Sequence, residues 1–402
     1  MSQLKLAVSH RLATVSLAIL LNGMLIWQFL PGDLLIGGRA LIMALVTVLF
    51  QLVVVNKNKS PLNKRAGVYI LMMLLQVCVF TFSLFISSFP EYGMWKVQGF
   101  LVFSVMPAFF IVWNYWQRPF LIESFLRWLL VFSALPAFLI LMDTEMLEPG
   151  FFRYSLNQLG VDVIGTERSL GLGVLIATIF AIRAKGWRRM FFISASAPLL
   201  IMMLMIGERG PVLALLFSIT YVIAVLVSTF RRLSGGARVL ISAIVFIVAA
   251  LLLPILVPRF SAEALSSDGR WSVFAAALTQ LGDSPFFGTG LGAFSPDPST
   301  TGGREYFHNI FGEILTEVGV LGFGIMLLLF VLPFLLNPIR FSKISEEMRP
   351  WLHTSVALFI YAFINANVSG DLATNYFVWV GFALIFCCGY PKTLANMRSG
   401  HC

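Results

Sequence analysis

Charge is scarce in this chain. Only 12% of its 402 residues are charged, while 58% are hydrophobic. An ordinary soluble domain carries about 25% charged residues. A water-soluble fold of this length has nowhere to hide so much apolar surface, so the scarcity points to a bilayer as the solvent. Cysteine and histidine are also rare, with four of each. Cys78, Cys387 and Cys388 lie inside apolar runs and Cys402 is the last residue, so no disulfide framework in an exported loop is expected. No Cys/His cluster has the spacing of a metal site. An internal repeat is missing too, and with it the related halves common in transporters.

What the chain has instead is a series of apolar runs of spanning length. They fall near 12–30, 36–55, 67–88, 97–116, 124–142, 169–184, 189–206, 210–229, 237–257, 309–337, 351–367 and 373–389. The expected fold is an all-α polytopic membrane protein of about 12 transmembrane helices, forming one integral domain over 1–402. The first run follows Lys5, His10 and Arg11 and continues to Pro31 without a clear A-x-A site, so it reads as an uncleaved span.

An even number of spans puts both termini on one side. The segments of that side hold 20 of the 28 Lys and Arg residues; the other set holds Arg39, Lys96, Arg153, Arg168, Arg209, Arg259, Arg270 and Arg304. Positive residues mark the cytoplasm, so both termini are expected there. Of the 19 acidic residues, 16 fall on the outer side or at outer span ends. The net charge of +9 is therefore an orientation signal and not a nucleic-acid footprint. Two outer loops are long, about 143–168 and about 258–308, and long loops in compact proteins tend to carry function.

The polar residues able to do chemistry gather on that outer side. Gly207-Glu208-Arg209-Gly210-Pro211 forms a tight outer turn, with Pro211 suited to the first turn of the next helix. Arg209 then stands beside a helix N-terminus, where backbone N–H groups and a guanidinium suit an anion. A snorkelling anchor at a span end fits the same residue. In 266–278, Ser267 or Asp268 can cap a short helix whose Trp271, Phe274, Ala275 and Leu278 share one face, as in a helix lying in the interface. Arg270 falls in its first turn, against the helix dipole, and invites either an anion or local pairing with Asp268.

Tyr306-Phe307-His308-Asn309 opens the next span, and His308 is the only histidine placed outside. It can exchange a proton near neutral pH or act only as a structural hydrogen-bonder. Glu313 and Glu317 follow on one face of that span, and carboxylates there usually face a polar cavity. The stretch 284–294 is rich in turns and glycine but follows no strand, so it is not a nucleotide loop. Arg168 and Asp371 are further outer polar residues that also suit caps or anchors.

Arg209, Arg270 and His308, taken in this order, resemble the O-antigen ligase/polymerase family of bacterial envelope glycosyltransferases. The stretches that carry the resemblance are GERGPVLALL (207–216), GRWSVFAAALTQLGDSPFFGTGLGAF (269–294) and HNIFGEILTEVGVLGFG (308–324). The similarity is strongest over about 205–325. It implies an inner-membrane enzyme of the lipid-linked-sugar transferase type (GT-C-like), with its active site facing the periplasm. The implied donor is a glycan on undecaprenyl diphosphate. Two family arginines that engage the diphosphate match Arg209 and Arg270, and the family histidine, proposed to activate the acceptor hydroxyl, matches His308.

The resemblance implies no metal and no cofactor, and the displacement should invert the anomeric centre. His308 could instead orient the acceptor, with Glu317 or Asp371 as base; Arg168 and Asn309 are supporting candidates. The outer loop over 258–308 is moderate in length, which tilts the expected acceptor towards a lipid-linked repeat, as in an O-antigen polymerase. A ligase that moves the glycan to lipid A core stays open, as does a lipid-linked oligosaccharide flippase.

Overall fold

The computed structural model describes residues 11–22, 43–52, 64–116, 118–142, 162–226, 270–294, 308–336, 339 and 344–389, with isolated positions between 236 and 247. These residues contain helices and turns but no strand. The helices are α1 (Arg11–Asn22), α2 (Met43–Leu52), α3 (Lys64–Ser83), α4 (Pro90–Asn114), α5 (Pro119–Met142) and α6 (Val163–Arg183). They continue as α7 (Trp187–Ile206), α8 (Arg209–Leu226), α9 (Arg270–Asp283), α10 (Ile310–Leu336), α11 (Arg349–Val368) and α12 (Phe377–Cys388).

Seven of the described helices are long and apolar enough to cross a membrane: α3, α4, α5, α6, α7, α10 and α11. The helices α1, α2, α8 and α12 are apolar but shorter. Helix therefore occupies eleven of the twelve expected positions. Most of the expected span at 237–257, both chain termini and most of the loop 143–168 lie outside the described residues.

Two helices begin furthest ahead of their apolar runs. α6 starts at Val163, because Asp162 caps it by accepting from Gly165 N at 3.0 Å. The last residues assigned to the loop 143–168 are thus helical. α4 starts at Pro90, a residue that fits a first turn, with Glu91 in that turn favoured by the helix dipole. Lys96 therefore lies inside a helix and not in an outer loop. Further along α4, Phe100–Val105 winds as a π-helix just before Pro107, whose ring disturbs regular α-helical bonding.

Packing follows chain order in part. α6 and α7 form a hairpin, α5 lies on α6, and α8 lies against both α6 and α11. α11 packs on α12, α12 on the second half of α4, and α10 on α3. Aromatic rings fill the centre: Phe330 stacks on Phe382 with centroids 3.9 Å apart, and Phe100 meets Trp379 edge-on at 5.0 Å. Leu321, Leu328 and Leu335 on α10, and Ile193 and Ile201 on α7, stay exposed. Outward apolar surface of this kind suits lipid contact.

α10 is broken. Gly319 has φ 72° and ψ 177°, a conformation open essentially to glycine alone. The break frees backbone groups on both sides, and the loop after α9 takes them up. Thr289 N donates to Thr316 O (3.0 Å) and Gly290 N to Glu317 O (2.9 Å). In the other direction Val320 N donates to Pro285 O (2.8 Å) and Leu321 N to Phe286 O (3.1 Å). A Cβ on Gly319 would lie 2.4 Å from Phe286 O and one on Gly288 2.5 Å from Gly319 N, so both glycines are required for the approach. Gly319→Ala is expected to lower stability by about 1–3 kcal/mol through backbone strain, with the clash adding to it. Thermal unfolding of the purified protein in detergent measures this; an unchanged midpoint would contradict the break.

Candidate functional site

The turn that ends α11 and opens α12, residues 365–375, gathers Arg168, Asp371 and their partners. Orphan carbonyls at a helix C-terminus need donors, and Arg168 from α6 supplies them. Its Nη2 donates to Ser369 O at 2.5 Å and to Asn365 O at 3.3 Å. Gly370, at φ 75°, makes room: a Cβ there would stand 2.9 Å from both terminal guanidinium nitrogens. Tyr361 on α11 returns the contact by donating to Arg168 O at 2.8 Å.

Asp371 closes the turn. Its Oδ1 accepts from Thr374 N (2.9 Å) and Thr374 Oγ1 (2.8 Å), and its Oδ2 accepts from the Tyr92 hydroxyl (3.1 Å). Its role in the structure is thus the cap that the sequence allowed, extended by a long-range partner on α4.

Arg209 stands at the first residue of α8, one residue after Glu208 and two after the left-handed Gly207 that ends α7. Glu208 N donates to Glu167 Oε2 at 2.7 Å, tying this turn to α6 next to Arg168. Gly210 packs against Val368 at the end of α11. The GERGP turn, Glu167-Arg168 and the α11 terminus thus form one contact region.

His308 enters from α10. It is the only described non-glycine residue with positive φ, at 59°. Asn309 holds the following helix: its Oδ1 accepts from Gly312 N (2.9 Å), and its Nδ2 donates to Asn367 O (3.1 Å) on α11. The left-handed residue before a capped helix sets the direction in which the imidazole leaves the backbone. Such strain is most often found at functional positions.

Arg270 is the first described residue of α9; its side chain and Ser266–Gly269 lie outside the described residues. Ala277 of α9 is buried against Phe294, with Val273 packed beside them, while Phe274 and Leu278 are exposed as an apolar outer face.

Sequence reasoning did not find the partner of the two carboxylates. Glu313 and Glu317 do share a face, and that face meets Lys96 of α4. Lys96 Nζ contacts Glu317 Oε1 at 2.7 Å and is paired with Glu313 Oε1 as well. All three side chains are 1% exposed or less. The ammonium also lies 4.9 Å from the Tyr92 ring centroid, within cation–π range. The available signal was a lone lysine within reach of an apolar run; charge counting assigned it to a loop. Below His308 and Asn309, Ile310, Phe311, Ile314, Phe323, Phe330 and Trp379 line an apolar pocket. Among the described residues no group of three or more His, Cys, Asp or Glu is arranged to hold a metal.

Fold and site together define a multi-pass, all-helical membrane protein whose polar residues converge at helix ends. Residues 194–327 match the family model described as O-Antigen ligase. The matched stretch contains Arg209, Arg270, His308, Glu313 and Glu317, so it independently supports the resemblance drawn from the motifs and, broadly, a function of O-antigen ligase/polymerase type. No curated protein and no solved structure matches the chain.

The left-handed backbone at 308 gives a direct check. His308→Ala is expected to be about 1 kcal/mol less stable than His308→Gly, because alanine bears the left-handed penalty that glycine avoids. Thermal unfolding of the two variants in the same detergent measures the difference; equal or reversed midpoints contradict the geometry.

Proposed function

We propose that this protein is a membrane glycosyltransferase that moves a glycan from undecaprenyl diphosphate to an acceptor sugar hydroxyl on the periplasmic face of the bacterial inner membrane. The observation that carries this reading is the O-antigen ligase family match over 194–327, which spans all three motif residues. In the same reading the chain is one integral domain of twelve spans with both termini cytoplasmic.

Arg209 begins α8, and Arg270 is the first described residue of α9. Their guanidinium groups bind the donor diphosphate and stabilise charge as the leaving group departs. His308 takes the proton of the acceptor hydroxyl. The hydroxyl oxygen bonds to the anomeric carbon as the bond from that carbon to the phosphate oxygen breaks, and undecaprenyl diphosphate leaves. Attack opposite the leaving group inverts the centre. Arg168, Asn309 and Asp371 act by holding the turn around which the site is built. The chemistry needs no metal ion.

Two acceptors are possible. A lipid-linked repeat makes the protein a polymerase, the acceptor to which the moderate length of 258–308 tilts. Lipid A core makes it a ligase. Reconstitution with lipid-linked repeat units, with and without lipid A core, separates the two. Chain growth on repeats alone means polymerase, and transfer only when core is supplied means ligase. No product with either acceptor would sink the enzyme reading and leave a flippase.

Within that assay Arg209→Ala, Arg270→Ala and His308→Ala are each expected to cut transfer by about 100-fold or more at normal membrane levels. Full activity in all three contradicts the site. Transfer is also expected to survive excess chelator; loss restored by a divalent metal contradicts the proposed chemistry.

A further inference from the structure

The ion cluster on Lys96 is costly, and the chemistry proposed above does not use it. Two carboxylates exceed one ammonium, and Glu317 Oε2 is buried without a hydrogen bond among the described residues. Replacing a buried ion triad by apolar residues of similar volume often raises stability. Ionisable groups inside membrane helices are rare and usually functional. Stability alone is therefore a poor account of why these three residues are here.

Their hydrogen bonds suggest another account. The carboxylates that hold Lys96 also hold backbone from two other segments. Leu372 N donates to Glu313 Oε2 at 3.1 Å, and Phe294 N donates to Glu317 Oε1 at 3.4 Å. Leu372 belongs to the turn whose carbonyls take Arg168. Phe294 ends the glycine loop that leads from α9, the helix that Arg270 begins. Glu313 N donates to Asn309 O (2.9 Å), one turn below His308. Tyr92, one turn before Lys96, adds its bond to Asp371 in the same turn. A single ammonium thus fixes the rotamers of two carboxylates, and each carboxylate clamps a different loop to the half-helix behind His308.

We infer that Lys96, Glu313 and Glu317 are positioning residues for the transfer reaction. They set the register between the His308 half-helix, the loop leading from Arg270 and the turn after α11. For its reaction this rests on the proposed function. The cluster touches no substrate in this role. Losing it loosens the geometry in which the reacting groups meet, an effect that falls on turnover more than on donor binding.

The test compares the wild-type protein with two variants in lipid nanodiscs, by hydrogen exchange and by transfer kinetics. Lys96→Met alone strands both carboxylates and can fail to accumulate. The triple variant Lys96→Met/Glu313→Leu/Glu317→Leu removes every charge at similar volume. The triple variant is expected to accumulate with unchanged exchange in the α6–α7 hairpin. Its amides at Phe294 and Leu372 exchange about tenfold faster or more, as for a lost hydrogen bond to a charged group. Its kcat falls about tenfold or more while the donor KM stays within about threefold.

Wild-type protection at both amides, or wild-type kcat, overturns the inference. Failure of both variants to accumulate overturns it too, since the cluster then serves folding itself. Absence of transfer by the wild-type protein sinks the proposed reaction instead, and the exchange measurements still decide whether the cluster clamps the loops.

Discussion

Away from water, a backbone N–H or C=O freed from a helix must find another partner. That constraint governs this structure at Gly319. The break strands carbonyls at 316 and 317 and N–H groups at 320 and 321, and residues 285–290 answer all four. Break and loop therefore exist only together. The exchange also fixes where the loop ends, and Phe294 arrives within reach of Glu317 as a result. The end of α9 is thereby seated on α10 by backbone bonds, which depend on side chains only through the glycines that let the two chains approach.

The same break shapes the electrostatics. It confines Glu313 and Glu317 to a short half-helix whose inner face meets α4, where Lys96 is already buried. Because α4 begins at Pro90, Tyr92 and Lys96 stand one turn apart on it, and both reach the region of the α11 turn. Arg168 reaches the same turn from α6. Helix C-terminal carbonyls, a capping aspartate and two buried carboxylates thus draw donors from α4, α6 and the adjoining loops to one place. Polar groups gather there because each end of a helix leaves bonds unmade, and the nearest donors on neighbouring helices complete them.

Much of this was legible in the residues, and the remainder has physical reasons. Hydropathy placed the helices, since apolar runs of spanning length have few other uses. It misplaced the starts of α4 and α6, where the first two turns carry Glu91 and Lys96 or Thr166 and Glu167 and do not read as membrane. The four-residue spacing showed that Glu313 and Glu317 share a face, but a partner far away in the chain leaves no local pattern. Lys96 carried the opposite message: in a charge count it reads as loop, whereas buried it is the centre of a cluster. The glycines of 284–294 announced turns, not the helix break that needs them. His308 stood out by being the sole outer histidine, while its left-handed backbone followed from no residue pattern.

The proposed chemistry fits one further regularity of the architecture. Arg209 is the first residue of α8, Arg270 is the first described residue of α9, and His308 lies two residues before α10. A cation at a helix start is opposed by the helix dipole. In the proposed reaction an anion held at these helix starts offsets that opposition. A diphosphate supplies such a charge, and gains from both the guanidinium and the unpaired N–H groups of the first turn. As the glycosyl bond breaks, negative charge on the leaving diphosphate grows, and groups already oriented towards it stabilise that charge without reorganising. Rigidity then matters more than strength, which is why a buried lysine that clamps loops can bear on a reaction it never touches.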